Sequence, residues 1–163
     1  MIYEVSGDIV KSQAKAIAHG IAPNDHFNQG LALHLKELWP SLYKDFRHYC
    51  QSHKAEPGDI WTWAGSNGQQ IVNLFTQEAP KDHNSNPGKA SLSNLNSTLK
   101  ELKKFVEKNK IPSLAITKVA TGVGGLSWED VFPLIQKHLG ELDIPVYVYT
   151  NYKKDVQAQE KLN

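Results

Sequence analysis

The chain has 163 residues, enough for one domain and short for two, with 40% apolar and 21% charged residues and a formal net charge of +1. That balance argues against a broad basic face for duplex nucleic acid, yet it leaves room for a small anionic ligand, because backbone N–H groups bind phosphate without net charge. The lone cysteine, Cys50, permits no internal disulfide, no apolar run reaches the roughly 20 residues of a membrane span, and MIYEVSGDIV lacks the basic-then-apolar order of a signal peptide, so a cytoplasmic chain without membrane contact is expected.

Residues 2–5 read as a short strand, closed by the turn residues Ser6-Gly7-Asp8. Residues 14–19 (AKAIAH) read as a second, buried strand, followed by a loop over 20–29 rich in Gly, Pro, Asn and Asp. Leu31, Leu35 and Leu38 share a stripe on a helix from Gly30, which Pro40 stops, and Leu42, Phe46 and Tyr49 continue a second helix. Residues 59–63 and 71–76 read as strands joined through Gly65-Ser66-Asn67-Gly68. A long polar loop, 77–88, precedes an amphipathic helix with Leu92, Leu95, Leu99, Leu102 and Val106 on one face. Residues 111–120 form a nearly continuous apolar run, expected as a central strand buried on both faces. Ser127 is a candidate N-cap for a helix through Leu139, and 146–150 (VYVYT) is a last strand. The alternation predicts an α/β fold: a mixed sheet with helices on both faces. One domain is expected over 1–152, with a polar tail over 153–163 that is frayed or a short surface helix.

Three segments could carry chemistry. Thr121-Gly122-Val123-Gly124-Gly125-Leu126 lies between the buried strand and a helix start, where exposed N–H groups and the helix end favour an anion; its bland reading is a plain turn. Asp8, beside Ile9, could accept from an exocyclic amine or simply cap a turn. The stretch from His19 to Ala32 holds His19, Asn24, Asp25, His26 and Asn28. His19, at a strand end, is a candidate acid or base or a semi-buried, hydrogen-bonded imidazole, and the adjacency of Asp25 and His26 makes no dyad without geometry. Metal and cofactor sites are not expected: the seven histidines lack i,i+4 pairing in an H-E-x-x-H motif, no second cysteine exists, no G-K-[ST] follows the glycines, and G-x-G-x-x-G is absent.

Taken in order, Gly7-Asp8-Ile9, Ala16-Ile17-Ala18-His19, Gly30-Leu31-Ala32, the ATGVGGLSW segment (120–128) and the final VY strand resemble the macrodomain family over about residues 1–150. The resemblance implies a three-layer α/β/α macrodomain with a mixed central sheet and an ADP-ribose cleft. In it Asp8 meets adenine, Ile9 offers backbone contacts, residues 121–126 hold the diphosphate, the loop from Asn24 to Leu31, with Asn28, Gln29, Gly30 and Leu31 as its binding residues, surrounds the distal ribose, and Tyr152 packs near adenine. His19 resembles a residue of the terminal and DNA ADP-ribosyl glycohydrolases. Where that branch has lysine in L-I-T-K this chain has Gln77, and where it has an acid this chain has Gly124. Asn73 to Gln77 (NLFTQ) is more similar to ADP-ribose 1''-phosphate phosphatases. The implied function is a hydrolase acting at the distal ribose of ADP-ribose derivatives, with a non-catalytic ADP-ribose reader as the alternative. The expected partner is ADP-ribose or an ADP-ribosylated substrate, with nucleic acid only where it carries the modification, and the expected state is a monomer.

Overall fold

The computed structural model describes residues 1–82 and 84–160. Strands β1 (Ile2–Gly7), β2 (Ala16–Ile21), β3 (Ile60–Ala64), β4 (Gln70–Phe75), β5 (Leu114–Thr117) and β6 (Val146–Tyr152) form one sheet in the order β1-β6-β5-β2-β4-β3. All neighbours are parallel except β3 and β4, the hairpin expected from the Gly65–Gly68 turn. Helices α1 (Gly30–Leu38) and α2 (Pro40–Ser52) cover one face, and α3 (Leu92–Lys108) and α4 (Trp128–Leu139) cover the other. This is the three-layer α/β/α arrangement with a mixed sheet.

Strand alternation divides the core. Ala16 and Ala18 of β2, Val72 and Leu74 of β4, and Val146 and Val148 of β6 pack with Leu95, Leu99, Leu102 and Val106 of α3. Ile17 and Ile21 of β2, Ile71 and Phe75 of β4, and Tyr147 of β6 point to α1 and α2. The same period puts His19 and Asn73 on the second face, directly opposite each other in the parallel register. Parallel strands buried on both faces explain the unbroken apolar runs.

Several boundaries differ from the sequence reading. The expected central strand over 111–120 shrinks to Leu114–Thr117, because Pro112 has no N–H for a ladder and the chain turns after Thr117, reaching φ 65° at Ala120. Leu92 is 41% exposed rather than part of the α3 stripe. Helical side chains lean toward the N-terminus, so this first residue projects past the helix end. Pro40 both ends α1 and opens α2 at its first position, where a missing N–H costs nothing.

Residues 153–160 are neither helical nor detached. Asp8 N–H donates to Val156 O (2.7 Å), Asp155 N–H to Asp8 Oδ2 (3.0 Å), and the Glu160 carboxylate accepts from Ser12 Oγ (2.7 Å), Gln13 N (3.0 Å) and the Tyr149 hydroxyl. Gly7 makes room for this return. Its φ is +155°, and a Cβ there would lie 2.8 Å from Val156 O and 2.9 Å from Ala158 N. Residues 161–163 of the expected tail lie outside the described residues.

Candidate functional site

Five parallel strands end on the same side of the sheet, and the loops leaving them enclose a cleft, the position ligands take in open α/β sheets. The cleft consists of two joined cavities. The larger, about 540 Å³, lies over the ends of β1, β5 and β6 and is lined by Gly7, Ile9, His34, Tyr149, Thr150 and Tyr152. The smaller, about 270 Å³, lies over the ends of β2 and β5 and is lined by His19, Gly20, Asp25, Gln29, Gln77 and the 119–124 loop. Gly30, Leu31, Thr117 and Lys118 line both, so they mark the waist.

The first turn of α1 faces this waist. Gln29, the N-cap, makes no side-chain bond to it, which leaves the N–H groups of Gly30 and Leu31 for an anion in a partly positive field. The other helix expected to serve, α4, does not. Ser127 Oγ accepts Glu129 N–H, Ser127 O accepts Asp130 and Val131 N–H, and Glu129 and Asp130 bring their own carboxylates to the first turn. Lys118 supplies the cation of the waist, with its Nζ 5.2 Å from the Trp128 ring centroid.

The 119–126 loop is shaped by its own backbone. Gly125 N–H donates to Gly122 O (3.1 Å), Leu126 N–H to Ala120 O (2.9 Å) and Ala90 N–H to Gly124 O (3.1 Å). A Cβ on Gly124 would sit 2.7 Å from Ala120 O and 2.9 Å from the Ala90 Cβ, so that glycine serves packing. A Cβ on Gly122 would meet no protein atom within 4 Å: it borders the cleft. Val123 and Gly124 line the cleft with it, whereas Thr121, Gly125 and Leu126 do not. Thr121 Oγ1 is spent on Lys118 O (2.7 Å), and Leu126 packs on the core.

His19 borders the smaller cavity but is only 2% exposed. Its Nε2 lies 2.7 Å from Asn73 Oδ1, and Asn73 Nδ2 donates to Trp61 O (3.1 Å). With the amide so oriented, Nε2 carries the proton and donates. Burial lowers the imidazole pKa to about 4, against the upward pull of the Asn73 bond, so the ring is neutral at pH 7. Its ring stands edge-on to Phe27, 6.3 Å between centroids. These facts weigh for the semi-buried, hydrogen-bonded reading of His19 and against proton transfer.

Asp8 is wholly buried and does not line either cavity. Its Oδ1 accepts Val10 N–H (3.3 Å) as the cap of a single 3-10 turn, and its Oδ2 accepts Asp155 N–H. Asn28 is exposed but outside the cavity walls: the preceding Phe27 takes the inward direction, with no exposure at φ 52°. Ile9, Gln29, Gly30, Leu31 and Tyr152 line the cleft, Tyr152 with 63% of its surface exposed.

The sequence reading missed Lys118, His34, Thr117, Tyr149 and Thr150 as wall residues, and gave Asp25 no chemical role beyond its place in the loop around the distal ribose. The signal for three of them was their place at the carboxyl end of a strand, which becomes visible only once Thr117 and Tyr149-Thr150 are known to end parallel neighbours. Asp25 is the one carboxylate in the cleft walls among the described residues. Its Oδ1 accepts Phe27 N–H at 2.8 Å, and partial burial raises its pKa against the lowering effect of that bond and of His26. Among the described residues no group of three or more His, Cys, Asp or Glu could hold a metal ion, and no helix is long and apolar enough to cross a membrane.

Residues 26–135 match the Macro domain family. A DNA ADP-ribosyl transferase–DNA ADP-ribosyl glycohydrolase fusion protein of Thermosipho africanus is 26% identical over 96% of this chain, and the chain spans 44% of that protein, less than half its length. An ADP-ribose 1''-phosphate phosphatase of Ajellomyces capsulatus is 30% identical, over 43% of this chain and 28% of its own. Among solved structures, the macrodomain of Mycobacterium tuberculosis DarG superposes with a TM-score of 0.81 at 22% identity, covering 91% of this chain and 97% of that one.

Proposed function

The chain belongs to the Macro domain family, and from that premise we propose that its cleft binds the ADP-ribose group and that the chain hydrolyses the bond joining the distal ribose to a modified acceptor. The observation that carries this reading is the pair of joined cavities, whose waist bears the α1 N–H groups of Gly30 and Leu31 together with Lys118, with Gly122 in the wall of the smaller cavity beyond it. An elongated ligand with an anionic middle and two uncharged ends fits that order. The adenosine end lies against Ile9, Tyr149 and Tyr152, the diphosphate crosses the waist, and the distal ribose enters the smaller cavity beside Gln77 and Asp25. Backbone donors suit the diphosphate because they are fixed before the ligand arrives and so cost little ordering on binding.

The glycohydrolase reading is favoured over the phosphatase because the similarity to a DNA ADP-ribosyl glycohydrolase runs through nearly the whole chain, whereas that to the phosphatase covers less than half of it. The substrate on this reading is ADP-ribosylated DNA. One specific observation favours a reader instead: where the resemblance implies a lysine, Gln77 is 7% exposed and its Nε2 donates to Gly88 O at 3.1 Å, so that position bears a structural amide.

Phosphorus NMR with free ADP-ribose tests binding, and a discontinuous assay with an ADP-ribosylated DNA oligonucleotide, ADP-ribose 1''-phosphate and an ADP-ribosylated peptide tests turnover. Shifted diphosphate signals with release of free ADP-ribose from the oligonucleotide is the expected result. Shifted signals with no turnover of any substrate would establish a reader, and unshifted signals at millimolar protein would end the ADP-ribose assignment.

A further inference from the structure

Asp25 stands in a wall shared by two spaces. On one side is the smaller cavity of the cleft; on the other is a third cavity of about 560 Å³, whose polar lining comes from His26, Arg47, Cys50, Lys81 and Asp82, with Tyr43 at its side. That volume falls within the roughly 300–1,000 Å³ that accommodates a whole small-molecule ligand, far more than a water or a phosphate needs. Two cations, Arg47 from α2 and Lys81 from the loop after β4, border it.

The carboxyl between the spaces is held in place. Phe27, sealed in the core against Tyr43 and Phe46 at centroid distances of 5.3 and 4.8 Å, anchors the loop, and its N–H fixes Asp25 Oδ1 at 2.8 Å. No salt bridge engages Asp25 among the described residues. His19, the other titratable group at this end of the cleft, is tied to Asn73.

We propose that Asp25 carries the proton exchanged when the bond at C1'' of the distal ribose breaks, and that the third cavity holds the acceptor group so released. This rests on the hydrolase reading above. In the step, the bond from C1'' to the acceptor breaks as the Asp25 proton passes to the acceptor atom. A water oxygen bonds to C1'' and gives its proton to the Asp25 carboxylate, which restores the acid. ADP-ribose and the protonated acceptor leave, and no other reactant is consumed. A general acid must hold its proton near the working pH, and burial raises the Asp25 pKa in the required direction. The charges that face it are His26 beside it, Arg47 from α2, Lys81 and Asp82 from the loop after β4, and Lys118 across the cleft; Cys50 is held as the thiol, its pKa raised by burial.

The test uses the full chain and two probes: an ADP-ribosylated oligonucleotide, whose acceptor must be protonated to leave, and ADP-ribose bearing 4-nitrophenol at C1'', whose leaving group needs no proton. Asp25→Asn keeps an oxygen for the Phe27 N–H, so it preserves the loop. It is expected to leave the Kd for free ADP-ribose within about twofold, to slow release from the oligonucleotide by about a hundredfold or more, to slow the nitrophenyl probe far less, and to remove the alkaline fall of the rate. Equal losses on both probes, or no loss on either, would overturn the role. Arg47→Ala combined with Lys81→Ala is expected to raise KM for the oligonucleotide alone; an unchanged KM overturns the acceptor cavity. Binding of ADP-ribose with no turnover of either probe by the unaltered chain would instead defeat the hydrolase reading, and Asp25's part in it.

Discussion

The loop of residues 22–29 is held by side chains, whereas the loop of residues 119–126 across the cleft is held by backbone. In the first, Phe27 is driven into the core, Asp25 caps its N–H, and the α1 donors are left free. In the second, three backbone hydrogen bonds and the close fit of Gly124 against Ala90 and Ala120 set the path, and no large side chain is buried between Thr121 and Gly125. Each loop is therefore vulnerable in its own way. The first fails when a buried ring is lost, the second when an atom is added.

Phe27→Ala should therefore have the largest effect. The ring is fully buried against Tyr43, Phe46 and His19, and its burial offsets the cost of a bulky residue at φ 52°. A loss of about 3–5 kcal/mol is expected from urea unfolding, and ADP-ribose affinity should fall with it because the start of α1 loses its anchor. A loss below ~1 kcal/mol would mean that the loop stands without the ring.

The strand beneath that loop carries a pH-sensitive contribution to stability. His19 has a folded pKa of about 4, below its unfolded value near 6.5. Its stabilisation is thus complete above pH 6.5 and is lost as pH falls toward 4, because the unfolded chain takes up the proton first; the shift corresponds to about 3 kcal/mol. Asp25, with a raised pKa, acts in the opposite sense, favouring the folded state as pH falls. His19→Gln should flatten the stability profile between pH 6.5 and 4 while leaving the rate of hydrolysis within a few-fold. A profile that still falls as steeply would place the protonating group elsewhere.

How much of this was legible follows the range of the interactions. The leucine spacing of α3 from Leu95 onward, the stop of α1 at Pro40 and the Gly65–Gly68 turn are local, and the sequence reading located all three. Loop positions such as Gly30 and Gly122 were also found, since glycine between a strand and a helix is itself a local signal. Asp8 and Asp25 could not be told apart. Both are short acids in turns, and what separates them is the return of residues 153–160 onto Asp8, an interaction spanning 147 positions. Lys118 was hidden in the same way: within an apolar run it reads as a strand residue, and the early end of β5 turns it into the cleft.

In the backbone-held loop two glycines have different surroundings. Gly124→Ala must push its methyl against Ala120 O and Ala90, and is expected to cost about 1–3 kcal/mol of stability. Gly122→Ala adds the same methyl where no protein atom lies within 4 Å, so stability should stay within ~0.5 kcal/mol. Its methyl enters the cleft instead, and the Kd for ADP-ribose should rise. Thermal unfolding and calorimetric titration of both variants separate the two roles; equal changes in both quantities would deny that the two glycines differ.

The smallest effect is expected at the waist, where neither loop dominates. Lys118 is partly exposed, and its cation is steadied by the Trp128 ring, so its pull on a diphosphate is screened by water and salt. Lys118→Ala should weaken ADP-ribose binding by about tenfold, close to 1.4 kcal/mol, and adenosine binding hardly at all. The deficit should shrink as salt is raised from 50 to 500 mM, because backbone donors fixed by α1 and the 119–126 loop keep their geometry while the charge is screened. A deficit that survives high salt would mean that Lys118 shapes the waist through its contact with Trp128 rather than through its charge, and Lys118→Arg, which retains both features, would then bind as the unaltered chain does.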